Sequence, residues 1–128
     1  MRVIIADDAG FIRELVGQAL KPLGVQIVAE TANGPETIQK VIELKPDMLF
    51  LDLVLPELNG IEVAKEVLSH FPGLKIVVLT SLDPEWIEQQ VYATGCHVFV
   101  LKPFTQEVIV NAFERAKQFG QEVKYGGV

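Results

Sequence analysis

The chain is expected to fold as an α/β domain, a parallel sheet with helices on both of its faces. Three observations predict this. Short apolar runs alternate with amphipathic segments five times along the chain. The run Met48-Leu49-Phe50-Leu51 is apolar at every position, as a strand covered on both faces requires. With 128 residues, 49% of them apolar, the chain supplies one compact core and is too short for two ordinary domains.

The elements follow in order. Residues 2–6 are an apolar run ended by Asp7-Asp8 and read as the first strand. Ile12, Leu15, Val16, Ala19, Leu20 and Leu23 then recur at helical spacing, until Pro22 and Gly24 close the segment. Residues 25–29 are a candidate for the second strand. Gly34-Pro35 opens the next helix with Pro35 at its first position, its apolar face being Ile38, Val41 and Ile42, and Lys45-Pro46 stops it. The third strand, 48–51, runs into Asp52. Asn59, with Glu62 three residues on, starts a helix whose stripe is Ile61, Ala64, Val67 and Leu68.

Residues 75–79 are the fourth strand, ended by Thr80-Ser81. Asp83-Pro84-Glu85 offers a cap, an early proline and an early acid to a helix that turns Ile87 and Val91 inward. The fifth strand, 98–101, ends in Lys102-Pro103. Thr105 caps a last helix with Ile109, Ala112, Phe113 and Ala116 on its stripe. From Gln118 on, with Gly120, Gly126 and Gly127, the chain reads as a fraying tail or the start of a linker.

Composition narrows the function. The net charge is −6 and no cluster of Lys and Arg occurs, which argues against nucleic-acid binding by this domain. No apolar run reaches bilayer length and the N-terminus lacks a signal-peptide pattern, so a cytoplasmic location is expected. Cys96 is the single cysteine and reads as a small buried residue near a strand start. His97 beside it makes no metal site without further ligands, and His70 and His97 read as structural or surface residues.

The chemistry-bearing residues gather at strand C-terminal ends: Asp7 and Asp8 after the first strand, Asp52 after the third, Thr80 after the fourth and Lys102 after the fifth. Ligands of open parallel sheets bind outside those ends, where the strand order reverses. Singly, each residue has an ordinary explanation: a helix cap, a loop acid, a turn residue, a solvated lysine. Four strand ends carrying them together favour one pocket. Crowded carboxylates resist ionisation, and a divalent cation with the Lys102 ammonium would cancel their charge. Oxygen donors without a His/Cys cluster favour Mg2+ over zinc. Asp52 would be a nucleophile forming an aspartyl phosphate, with Lys102 and Thr80 on the phosphoryl oxygens.

At these residues the sequence resembles the receiver domain of two-component response regulators, over residues 2–119. The resemblance rests on Ile5-Ala6-Asp7-Asp8, on Leu51-Asp52-Leu53-Val54-Leu55-Pro56 with Asn59-Gly60, on Leu79-Thr80-Ser81 and on Leu101-Lys102-Pro103-Phe104, in this order. It implies a flavodoxin-like doubly wound fold with strand order 2-1-3-4-5, a receiver domain at 1–119 and a tail or linker at 120–128. It also implies a phosphoryl group received on Asp52 from the phosphohistidine of a sensor kinase or a phosphotransfer protein. Mg2+ would sit on Asp7, Asp8, Asp52 and the backbone carbonyl of Val54, and the Lys102–Pro103 bond would be cis.

In the same resemblance Thr80 and Ser81 match the switch hydroxyl and the small residue after it. Phe99 matches an aromatic switch residue, although a core strand phenylalanine looks the same in sequence. The output would be a changed surface on the fourth helix, fifth strand and fifth helix, read by a downstream target protein. Trp86, Gln89, Tyr92 and Gln106 are candidates there, with partial core packing open for Trp86 and Tyr92. Departures exist. Val54 is apolar where many members carry a polar side chain, which bears on how fast the phosphoryl group hydrolyses, and Cys96 stands where Ala is common.

Three functions compete: a stand-alone signalling receiver, a receiver from a longer regulator with a separate output domain, for example a DNA-binding one, and a phosphohydrolase of the haloacid-dehalogenase type. The last carries a second acid two residues after its nucleophile, where this chain has Val54. A nucleotide site is poorer still, because no Gly-rich phosphate loop followed by Lys-Ser/Thr is present.

Overall fold

A computed structural model describes the backbone of residues 1–82, 84–96 and 98–126, and the side chains of residues 1–82, 89–96 and 98–118. Its elements are β1 (Arg2–Ala6), α1 (Gly10–Leu20), a 3-10 turn (Lys21–Leu23), β2 (Gln26–Thr31), α2 (Gly34–Leu44), β3 (Met48–Asp52), α3 (Gly60–His70), β4 (Lys75–Thr80), α4 (Pro84–Ala93), β5 (Val98–Leu101) and α5 (Gln106–Gly126). The expected Asp83 cap, the side chains of Trp86 and Ile87, His97 and Gly127 lie outside the described residues.

The five strands form one sheet in the order β2-β1-β3-β4-β5, and every neighbouring pair is parallel. Strand periodicity divides the core in two. Val3 and Ile5, Met48 and Phe50, Val77 and Leu79, and Val98 and Val100 face one way, onto Ile12, Val16, Ala19 and Leu20 of α1 and Ile109, Ala112, Phe113 and Ala116 of α5. Ile4 and Ala6, Leu49 and Leu51, and Ile76 and Val78 face the other way, onto Val41 of α2, Val63, Ala64 and Val67 of α3, and Val91 of α4. All five residues of β3 are buried, as a central strand covered on both faces must be. Each large side chain so buried stabilises the fold by roughly 1.5–3 kcal/mol relative to exposure.

The helix ends follow local chemistry, with corrections to the sequence reading. Asn59 Oδ1 accepts from the Glu62 N–H at 3.0 Å, and Thr105 Oγ1 from the Val108 N–H at 3.3 Å, as expected. For α2 the cap is Asn33, whose Oδ1 accepts from the Glu36 N–H at 2.8 Å, so Gly34 takes the first helical position and Pro35 the second. Leu15, Leu23 and Ile42 are exposed rather than in the stripe, because the core accepts a narrower arc of α1 and α2 than the apolar spacing offers. The second strand runs on through Glu30 and Thr31. Apart from these corrections, the backbone of α5 is helical as far as Gly126. Among the described residues no helix is long and apolar enough to cross a membrane.

Candidate functional site

The strand order makes β1 and β3 neighbours, with Ala6 beside Leu51, so Asp7 and Asp52 leave the sheet side by side. On β4, Leu79 pairs with Asp52, and Thr80 pairs with Leu101 of β5. Asp7, Asp8, Asp52, Thr80 and Lys102 therefore share the C-terminal rim of the sheet. β1 is flanked by β2 and β3, and the chain order reverses there.

Asp7 is fully buried and held from several sides. Its N–H donates to the Thr31 carbonyl at 3.0 Å. Its Oδ1 accepts from the Ala9 N–H at 2.9 Å and its Oδ2 from Lys102 Nζ at 2.6 Å. Asp52, almost as deeply buried, accepts from the Val54 N–H at 3.0 Å through Oδ1 and faces Lys102 Nζ at 3.4 Å through Oδ2. One ammonium thus bridges two buried acids from neighbouring strands. The Asp8 side chain is exposed, yet Asp7, Asp8 and Asp52 each place a carboxylate oxygen within 4.8 Å of the others.

The charges do not balance. Three carboxylates and one ammonium leave a formal −2. Burial pushes the Asp52 carboxyl up from its usual range; the Val54 N–H opposes this, Asp7 adds to it and Lys102 counteracts it. Burial alone would lower Lys102, but its hydrogen bond to Asp7 and the charges of Asp52 and Asp7 outweigh that and raise it. A compact set of oxygen donors with excess negative charge fits a hard divalent cation.

The surroundings fix the loop that follows β3. A Cβ on Gly60 would lie 2.4 Å from the Asp52 carbonyl oxygen and 2.6 Å from Leu53 Cα, so only glycine lets α3 start that close to Asp52. A Cβ on Gly34 would lie 2.3 Å from the Leu58 carbonyl oxygen, so the start of α2 braces the same loop.

The remaining expected residues take these places. Thr80 is fully buried; its Oγ1 accepts from the Leu82 N–H at 3.0 Å, and its carbonyl from the Lys102 N–H at 2.8 Å. Ser81, next to it, is exposed. Val54 exposes its side chain and touches the site through its backbone. The Lys102–Pro103 bond is cis. Phe99 is partly buried against the core under α3 and α4. Gln89, Tyr92 and Gln106 are exposed, and Cys96 is buried.

One residue near the site escaped the sequence reading. Arg13 of α1 donates from its guanidinium to the Asp7 carbonyl at 2.5 Å and from Nε to Glu30 Oε1 at 3.1 Å. Its position on the polar side of α1 was the available signal, but its acceptor is a backbone carbonyl, which no sequence pattern marks.

A doubly wound parallel sheet with an acid triplet and a bridging lysine at its switch point defines a class: an α/β domain with a compact acidic site at the C-terminal rim of its sheet. Within that class the chain belongs to the response regulator receiver domain family, whose sequence model matches residues 3–114. It is similar to the chemotaxis protein CheY of Thermotoga maritima, 32% identical over 117 residues that cover 91% of this chain and 98% of that protein. It is also 34% identical to a protein-glutamate methylesterase/protein-glutamine glutaminase of Archaeoglobus fulgidus, over 80% of this chain and 30% of the longer protein. Among solved structures, the isolated REC domain of RcsB from Salmonella enterica serovar Typhimurium, in the presence of the phosphomimetic BeF3-, superposes with a TM-score of 0.85 at 28% identity, covering 93% of this chain and 89% of that one.

Proposed function

We propose that this receiver domain is a phosphorylation-activated switch whose acceptor is Asp52. The observation that carries the reading is the ammonium of Lys102 set between the buried carboxylates of Asp7 and Asp52, with Asp8 beside them. In the reaction, a carboxylate oxygen of Asp52 attacks the phosphorus of a phosphohistidine. The new P–O bond forms as the P–N bond breaks, and the departing imidazole keeps that electron pair. Lys102 exchanges part of its contact with Asp52 for an incoming phosphoryl oxygen, and the Thr80 hydroxyl donates to another.

Asp7, Asp8, Asp52 and the Val54 carbonyl would hold Mg2+, which supplies charge neutralisation on the phosphoryl oxygens when bound. The same groups assist the later hydrolysis of the acyl phosphate, so the domain takes part in its own resetting without being an enzyme on other substrates.

Thr80 couples the site to the surface. Its turn toward the phosphoryl group vacates space into which Phe99 rotates, with Ser81 and Pro103 shaping the adjoining loops. The face of α4, β5 and α5, with Gln89, Tyr92 and Gln106, then changes its preference for a target protein. Partners on this reading are a histidine kinase or phosphotransfer protein and a downstream target. Direct nucleic-acid binding by this domain is disfavoured by the charge of −6. Kinship with CheY supports a stand-alone, cytoplasmic role. The match to less than a third of the longer methylesterase supports a second reading, a receiver module joined to a separate output domain.

Acetyl phosphate with Mg2+ tests the assignment. The protein is expected to gain one acid-labile phosphoryl group by intact mass, and Asp52→Asn to gain none. Equal incorporation in Asp52→Asn contradicts the assignment.

A further inference from the structure

The three acids are not held alike. Asp7 and Asp52 are fixed through their side chains, by the Ala9 and Val54 N–H groups and by Lys102. Among the described residues, no hydrogen bond or ion pair reaches the exposed Asp8 carboxylate. Its position is therefore set by its backbone. The carbonyl of Asp7 lies in the same rigid peptide plane as the N–H of Asp8, so whatever fixes that carbonyl fixes where Asp8 begins. The Arg13 guanidinium does this, 2.5 Å from the Asp7 oxygen, and its Nε is anchored 3.1 Å from Glu30 on β2. The Arg13 side chain is mostly shielded, at 23% exposure, while its Glu30 partner is 52% exposed, so the firm end of the bridge is the one on the Asp7 carbonyl.

We infer that Arg13 is a positioning residue for the cation site, acting on Asp8 through the Asp7–Asp8 peptide plane. This rests on the Mg2+ reading given above. Geometry and charge make opposite demands on it. As a nearby positive charge, Arg13 repels a divalent cation, so its removal tightens binding if charge alone matters. As a clamp, its removal loosens Asp8 and weakens binding. The fork matters too, since a lysine ammonium keeps the charge but cannot span the Asp7 carbonyl and Glu30 together.

Calorimetric titration of Mg2+ into the full chain separates these cases. Arg13→Ala is expected to raise the Kd about tenfold, the lower end of what loss of a supporting contact does to a metal site. Arg13→Lys is expected to fall between Arg13→Ala and the unaltered protein. In the metal-free protein, amide exchange at Ala9 is expected to quicken in Arg13→Ala as the turn loosens. A Kd in Arg13→Ala that is unchanged or lower overturns the inference. If Arg13→Ala does not fold, a Kd in Arg13→Lys equal to that of the unaltered protein overturns it instead. An unaltered protein that takes up no Mg2+ overturns the cation site itself and this inference with it, which distinguishes the two failures.

Discussion

The two ends of the sheet treat charge in opposite ways. At the N-terminal end, Arg2 and Asp47 tie the neighbouring elements together through hydrogen bonds. The Arg2 N–H donates to Asp47 Oδ2 at 2.8 Å, the Asp47 N–H to the Arg2 carbonyl at 2.8 Å, and the Lys75 N–H to the Asp47 carbonyl at 3.3 Å. The Arg2 guanidinium closes the end of α2 on the carbonyls of Leu44 and Lys45. At the C-terminal end, Asp7 and Asp52 share one ammonium, and the exposed Asp8 carboxylate beside them has no ion pair among the described residues. The first arrangement closes a fold. The second leaves an excess of negative charge, and on the proposed reading that excess, rather than the acids themselves, marks the functional end.

The sharpest way to break this contrast is Lys102→Ala. It leaves Asp7 and Asp52 buried without their cation and is expected to cost about 3 kcal/mol of metal-free stability in urea titration, as loss of one partner of a buried pair does. Mg2+ is expected to return much of that loss while signalling output stays impaired. Equal destabilisation with and without Mg2+ would show that the lysine serves the fold alone.

Asp52→Asn is expected to act in the other direction. The raised native value of this carboxyl means that the folded protein holds its proton more tightly than the unfolded chain. Metal-free stability therefore falls as pH rises from the ordinary value of 3.8 through the raised one, and Asp52→Asn removes that fall. The substitution is expected to raise the metal-free urea midpoint at neutral pH and to flatten its dependence in the acid range. A lower midpoint would mean that Asp52 is satisfied as it stands. The smallest effect belongs to Asn59→Ala, expected to cost about 1 kcal/mol through loss of the α3 cap with the Mg2+ Kd unchanged.

Much of this was legible in the sequence because strands in a parallel sheet announce themselves twice, by apolar runs and by what ends them. Met48-Leu49-Phe50-Leu51 reads as a strand covered on both faces, and Asp52 ends the strand that the fold places at the centre of the sheet. Asp7 and Lys102 are 95 residues apart, and their contact follows once the strand order is known. Side-chain-to-backbone contacts were less visible. Asn33 was overlooked as the α2 cap because Gly34-Pro35 is the louder signal, and Arg13 because its partner is a carbonyl. Leu15, Leu23 and Ile42 show the remaining gap: periodicity says which residues are apolar on one side, while the width of the covered arc is set by the neighbouring helices.

The most direct test of the central claim, that acids, hydroxyl and ammonium at one end of the sheet form a single phosphoryl-responsive site, is the amide NMR spectrum with Mg2+ before and after beryllofluoride. The amides of Asp7, Asp52, Thr80 and Lys102 are expected to shift together, with Phe99 following, while those of Arg2, Asp47 and Lys75 stay in place. An unchanged spectrum, or shifts centred on the opposite end, would contradict it.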